Sequence, residues 1–359
     1  LLRLIGRIEQ NSILGELKGY GTGWGEFAVR SSQFGICDSM YFHRICARFD
    51  LDLFLMSTNV CRTCEHPDCI LYAQHGWADD HRRIAALADR IALPNTKVVT
   101  PNLGYFNTWF WIEPLIQRVD DLATANGHQF SDVPIQIVGH SMGGLIWLEV
   151  LHRHPEWWAQ VDSIVLIASP VGGSDLGRIF DPFEWGIGVA RDLGKNRRGM
   201  AEEIAAQIPT LVIAGNTDGG SDGTVILGAT QFRYAHFVEL PGVSHPDLRD
   251  HPQVATAILE FWASHKVPPP PPSGLAAILI QRLQAVPGMT DAHPRDCSKA
   301  TLWLQFERGM SLRTWCNSLG IHHVFLISGE GKCIYSGFVG WRHTAHLRQT
   351  LASIERDYA

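Results

Sequence analysis

The run Pro134-Ile135-Gln136-Ile137-Val138-Gly139-His140-Ser141-Met142-Gly143-Gly144 carries residue types at a spacing suited to nucleophilic acyl chemistry. An apolar strand leads into a G-x-S-x-G turn, and Leu145 to Leu151 follows as a buried helix. Such a turn forces its serine into a strained backbone conformation, and only glycines at Gly139 and Gly143 leave room for it. Ser141 is the candidate nucleophile.

A serine hydroxyl needs a base to take its proton, and the imidazole that does so needs a carboxylate to hold its tautomer. Where the nucleophile sits on a strand-to-helix elbow, the acid and then the histidine follow it in the chain. The strand His236 to Leu240 leads into Pro241-Gly242-Val243-Ser244-His245, which makes His245 the candidate base among 17 histidines. His236 begins that strand and His251 lies past the loop, so both are weaker choices. Two aspartates, Asp218 and Asp222, follow the strand Thr210 to Ala214. Asp222 is preferred because Asp222-Gly223-Thr224-Val225 matches a D-G-x-V turn that many lipases use to aim the acid inward, but geometry finally defines the acid. An oxyanion would be held by backbone N–H groups: that of Met142, and that of Trp77 after the turn His75-Gly76.

These residues require a sheet that brings several strand ends to one edge. Upstream of residue 266, strand runs at Ile70–Gln74, Lys97–Thr100, Ser163–Ala168, Thr210–Ala214 and His236–Leu240 alternate with helical patterns at Trp77–Ile91, Ile112–Ala125 and Pro252–Ser264. That alternation predicts an α/β fold with a doubly wound, mainly parallel sheet over residues 66–266. Residues 173–207, with Phe180, Phe183, Trp185 and Ile187 among charges, read as a lid-like insertion. Five prolines at 268–272 form the core of a linker over 267–274, extended by their fixed φ. Beyond it, residues 275–359 read as a small α+β domain: a helix at Leu275–Val286, strands at Ala300–Phe306, His323–Ser328 and Lys332–Tyr335, and a helix at His343–Arg356. Gly329-Glu330-Gly331 marks a hairpin there. Residues 1–65 show no sustained period, and no internal repeat is present.

Together, His75-Gly76, Gly139-His140-Ser141-Met142-Gly143-Gly144, Ala168-Ser169-Pro170-Val171-Gly172-Gly173, Ser221-Asp222-Gly223 and Gly242-Val243-Ser244-His245 resemble the α/β-hydrolase superfamily, especially its lipase and esterase branch. The resemblance spans Ile70 to Ser264 and implies an eight-stranded sheet with helices on both faces and acyl transfer through an acyl-serine. The amino-terminal region departs from the family's opening strands, and the domain after the prolines lies outside its core. A serine at the elbow argues against dehalogenase or epoxide hydrolase chemistry, which in this superfamily uses an aspartate there. The expected substrate is a small ester or lipid-like molecule, with no cofactor. Acyl transfer to an alcohol, thioester hydrolysis and a catalytically silent binding protein use or retain the same residues.

Net charge −6 argues against a nucleic-acid partner held by counterion release, and apolar runs such as Ile164–Ala168 and Ala276–Ile280 are too short to span a bilayer. Leu1 to Ile8 is too short and too interrupted by arginine for a secretory core, and the eight scattered cysteines suit a reducing cytoplasm. Cys61, Cys64, His66 and Cys69 could ligate zinc, but they crowd into nine residues, whereas structural zinc usually closes a loop between separated pairs. Trp109, Trp111, Trp157, Trp158 and Trp185 are candidates for an apolar acyl pocket, although most tryptophans pack as core.

Overall fold

Every residue from Ile70 to Ala73 is at most 1% exposed, which is the pattern of a strand covered on both faces. In the computed structural model, which describes residues 66–129, 132–173, 192–264 and 267–358, this segment is β1 (Cys69–Gln74), inside a wholly parallel sheet. The other strands are β2 (Thr96–Val99), β3 (Ile135–His140), β4 (Val161–Ile167), β5 (Thr210–Asn216) and β6 (Ala235–Pro241), in the order β2-β1-β3-β4-β5-β6. The eight strands implied by the family become six among the described residues. The amino-terminal region, where opening strands would fall, lies outside them.

Strand periodicity sorts the core into two layers. Ile70, Tyr72, Ile137 and Leu166 face α2 (Glu113–Gln129), α3 (Met142–Arg153) and α4 (Arg198–Ala205). Leu71, Ala73, Val138 and Val165 face α1 (His81–Ile91) and α6 (Pro252–Ser264). Helix α1 fits its layer because Ile84, Leu87, Ala88 and Ile91 share one stripe, and Asp80 caps its start by accepting from Arg82 N at 2.9 Å.

The strand order decides where a site can form. The chain leaves β1 outward for β2 and returns across it to β3, so the helices after β1 and β3 pack on opposite faces. A crevice opens between their diverging loops at the carboxyl ends of β1 and β3. Register pairs Gln74 with Gly139, which brings His75-Gly76 beside Ser141.

Part of the predicted insertion is core structure. Ala201, Ile204 and Ala205 of α4 are buried, and buried Arg197, just before it, forms an ion pair with partly exposed Glu149 on α3 at 2.7 Å. Phe180, Phe183, Trp185 and Ile187 lie outside the described residues, as do Cys61 and Cys64.

After the prolines, an antiparallel sheet of β7 (Met289–Asp291), β8 (Thr301–Gln305), β9 (Ser311–Cys316), β10 (His322–Ile327) and β11 (Cys333–Val339) runs in the order β7-β11-β10-β9-β8. Helices α7 (Leu275–Gln284) and α8 (Thr344–Tyr358) bury Leu279, Leu283, Leu347, Leu351 and Ile354 against one face. No helix among the described residues is long and apolar enough to cross a membrane. The sequence pattern misses β7, which is three residues long, and β9, whose Ser311, Arg313 and Thr314 break the apolar run.

This carboxy-terminal module belongs to the same compact unit as the parallel sheet. Arg198 at the start of α4 donates to Asp291 Oδ2 of β7 at 2.8 Å, and also to the carbonyls of Gly228 and Gln231 around α5 (Leu227–Thr230). Burial opposes its charge, but the carboxylate outweighs that and raises the guanidinium above its ordinary range. Removing one partner of a buried pair leaves the other uncompensated. Asp291→Ala is therefore expected to cost about 3–5 kcal/mol of stability. Urea unfolding of the full chain checks this, and an unchanged midpoint would remove the pair as the link between modules.

Candidate active site

Ser141 adopts φ 55° and ψ −124°, in the region that side-chain-bearing residues avoid. Its neighbours show why the elbow tolerates nothing larger. A Cβ on Gly139 would lie 2.4 Å from Gly144 Cα, and one on Gly143 would lie 2.4 Å from the Gln74 carbonyl oxygen. The turn is also tied to the sheet, since Ser141 N donates to Ile167 O at 2.7 Å.

Asp222 follows β5 and is 2% exposed. Its Oδ1 accepts from Thr224 N at 2.9 Å and Val225 N at 2.7 Å, so the D-G-x-V turn aims the carboxylate. Oδ2 is then left for His245 Nδ1 at 2.7 Å, and the His245 backbone N–H donates to Asp222 O at 2.9 Å. Because a carboxylate only accepts, Nδ1 carries the proton and a neutral ring leaves Nε2 free of one.

Asp218 does not meet His245. Its Oδ1 accepts from Ser221 N at 2.7 Å and its Oδ2 from Ser221 Oγ at 2.8 Å. The alternative histidines are also engaged elsewhere: His236 with Val267 O, and His251 with Gln253 N.

Trp77 and Met142 flank the elbow from two strands. A Cβ on Gly76 would sit 2.9 Å from Ser141 Cβ and 3.2 Å from Met142 N, so the β1 loop passes directly over Ser141. His75 sets that loop. Its Nε2 accepts from Leu103 N at 3.0 Å, which leaves the proton on Nδ1 to donate to Gly76 O at 3.1 Å. The planar peptide then turns the Trp77 N–H away from His75.

A cleft of about 300 Å³ is lined by Trp77, His140, Ser141, Pro170, Leu193 and His245, among others. Trp77 packs against Trp109 at 4.5 Å between ring centroids, and Tyr105, Phe106, Phe110 and Trp111 continue outward as exposed aromatic surface. Trp157 and Trp158 are not cleft residues; they pack half-buried against the layer of α3.

Three residues escaped the sequence reading. His140 lies inside the elbow motif itself and donates Nε2–H to the His245 carbonyl at 3.1 Å, which ties the Ser141 turn to the loop of His245. Burial and nearby His245 hold its ring well below the ordinary histidine value. Arg249 donates to Asp79 at 2.7 Å, joining the loops after β6 and β1 across the cleft. No local pattern marks that pair, because its members are 170 positions apart.

Cys69 of the zinc reading lies half-buried in β1, where burial and then Asp162 push its thiol up to about 11. His66 is exposed at the start of the described residues, and no group of three or more possible metal ligands occurs among them.

Sheet, elbow and cleft together define the class, an α/β-hydrolase fold. Residues 65–184 match the profile described as serine aminopeptidase, S33. Among solved structures, the chain is similar to the mature lipase BlEst2 of Bacillus licheniformis, at 15% identity over 56% of this chain and 96% of that one, with a TM-score of 0.43. It is also similar to Est1E of Butyrivibrio proteoclasticus with bound ferulic acid, at 17% identity over 56% and 91%, with a TM-score of 0.42. A predicted CIB-like hydrolase of Thermoplasma acidophilum aligns at 15% identity over 56% and 88%, with a TM-score of 0.39. No curated protein matches the chain.

His75 also makes the site sensitive to acid. Burial, opposed weakly by its contact with Gly76, lowers its ring from 6.5 to about 4. The unfolded chain therefore takes up this proton first, and stability present above about pH 6.5 is lost as pH falls toward 4, by up to about 3 kcal/mol. Urea midpoints measured across that interval should fall less steeply in His75→Gln than in the parent, and identical slopes would remove His75 as the cause.

Proposed function

We propose that the protein is a serine carboxylester hydrolase working through an acyl-serine. The observation that carries this reading is the 2.7 Å contact of His245 Nδ1 with buried Asp222, in the cleft that also holds strained Ser141. Ser141 Oγ attacks the ester carbonyl while His245 Nε2 takes its proton, and Asp222 stabilises the imidazolium. The oxyanion lies between the N–H groups of Trp77 and Met142, where a preorganised donor is worth roughly a hundredfold or more in rate. The proton on His245 then passes to the departing alcohol. Water enters, loses a proton to His245 and releases the acid, which restores Ser141.

The substrate is a small or lipid-like ester with an apolar acyl group. Support comes from the walls of the cleft, where Trp77, Pro170, Leu193 and Val225 outnumber the charged side chains, which are Asp79 and Arg249, paired with each other. Free thiols at Cys69, Cys297, Cys316 and Cys333 support a cytoplasmic setting.

A second reading, amide hydrolysis at a peptide amino terminus, is favoured by the description of the matched profile, which ends at residue 184 before the acid and base. p-Nitrophenyl esters of increasing acyl length, run beside aminoacyl p-nitroanilides, separate the two. The ester reading expects turnover of the esters with little or none of the anilides, and the reverse preference overturns it.

A fluorophosphonate probe should label the parent protein and leave Ser141→Ala unlabelled. Equal labelling would place the nucleophile elsewhere. Asp222→Asn, which keeps the shape but removes the charge, should lower kcat by about 10⁴-fold.

A further inference from the structure

Asp218 is left over by the proposed chemistry, yet its side chain is bonded as heavily as that of Asp222. It accepts from Gly220 N, from Ser221 N and from Ser221 Oγ. Ser221 Oγ in turn accepts from Gly223 N at 3.1 Å, on the residue next to Asp222, and Ser221 O accepts from Thr217 N at 2.7 Å. A deviation at Asp218 is thus transmitted through one hydroxyl to the backbone that aims the triad carboxylate.

What Asp218 faces comes from the other module. His293, two residues beyond Asp291 of β7, sets Nε2 3.2 Å from Asp218 Oδ1, off the line of a strong hydrogen bond but within charge contact. Its Nδ1 accepts from Arg295 N at 3.0 Å, so Nε2 bears the proton even on a neutral ring. Pro294 stiffens the backbone after it. The fit is close: a Cβ on Gly220 would stand 2.8 Å from Pro294 Cδ and 2.9 Å from His293 Nε2. On the far side of the same loop, Asp291 holds Arg198, which donates to Gly228 O and Gln231 O around α5. The segment 291–294 therefore bears on both ends of the stretch that carries Asp222.

We propose that the carboxy-terminal module is a working part of the catalytic centre, with His293 as a positioning residue that holds Asp222 toward His245 through Asp218 and Ser221. The inference rests on Asp222 being the triad acid. It accounts for a module that contributes no cleft residue yet is anchored by a buried ion pair and a histidine–carboxylate contact. On this view the proline segment tethers a required part rather than separating an independent binding domain.

The test uses the full chain and p-nitrophenyl ester kinetics. His293→Ala should lower kcat about tenfold or more while KM stays within about twofold, because displacing a catalytic group acts on the chemical step rather than on substrate binding. The rate of fluorophosphonate labelling should fall in parallel. His293→Gln, which retains an N–H donor near the same place, should recover most of the loss. Asp218→Asn should resemble His293→Ala, and the double variant should be little worse than either, since both lie on one path. The proposal is overturned if His293→Ala and Asp218→Asn keep the parent kcat, whatever they do to the melting temperature; should His293→Ala fail to fold, Asp218→Asn decides alone. Asp222→Asn in the same assays separates the premises. If it retains activity, the acid assignment fails; if it alone is inactive, only the role of His293 does.

Discussion

The conformation of Ser141 is the constraint around which the parallel sheet is arranged. A non-glycine residue held at positive φ costs on the order of 1–3 kcal/mol and persists only where its surroundings leave no alternative. Here those surroundings are the β1 backbone pressed onto Gly143, the contact of Gly139 with Gly144, and the hydrogen bond from Ser141 N to β4. Each depends on β3 being central. On an edge strand the turn would lack a neighbour on one side and could relax.

Central placement also brings the remaining chemistry within reach. With β1 and β4 beside β3, the loop carrying Gly76 and Trp77 passes over Ser141, and the strands beyond β4 deliver Asp222 and His245 in spatial as well as chain order. The histidines then divide by environment. His75 and His140 are buried and kept neutral as fixed hydrogen-bonding struts, whereas His245 has a carboxylate behind it and the cleft before it.

The parallel sheet was largely legible because its strands are continuous apolar runs, bounded by glycine, proline or polar residues, and burial on both faces demands that composition. Helix α6 runs from Pro252 to Ser264, where the pattern put it, since its apolar stripe is unbroken. Legibility fell where burial is one-sided or elements are short. Strand β9 offers one face to the core and reads as polar, β7 is too brief to show a period, and α4 hid inside a segment read as a lid. The roles of His140 and Arg249 were illegible for another reason: each depends on a partner more than a hundred residues away.

By itself the sequence determined the glycine-flanked turn at Ser141 and the parallel strands around it, because glycine spacing and strand composition act locally. Only the tertiary structure shows which of Asp218 and Asp222 meets His245. They follow β5 by two and six residues, and what separates them is direction: backbone N–H groups of Thr224 and Val225 turn Asp222 to His245, while Ser221 turns Asp218 toward His293. A side chain's direction is set by groups packed around it from distant parts of the chain, and no local spacing encodes those.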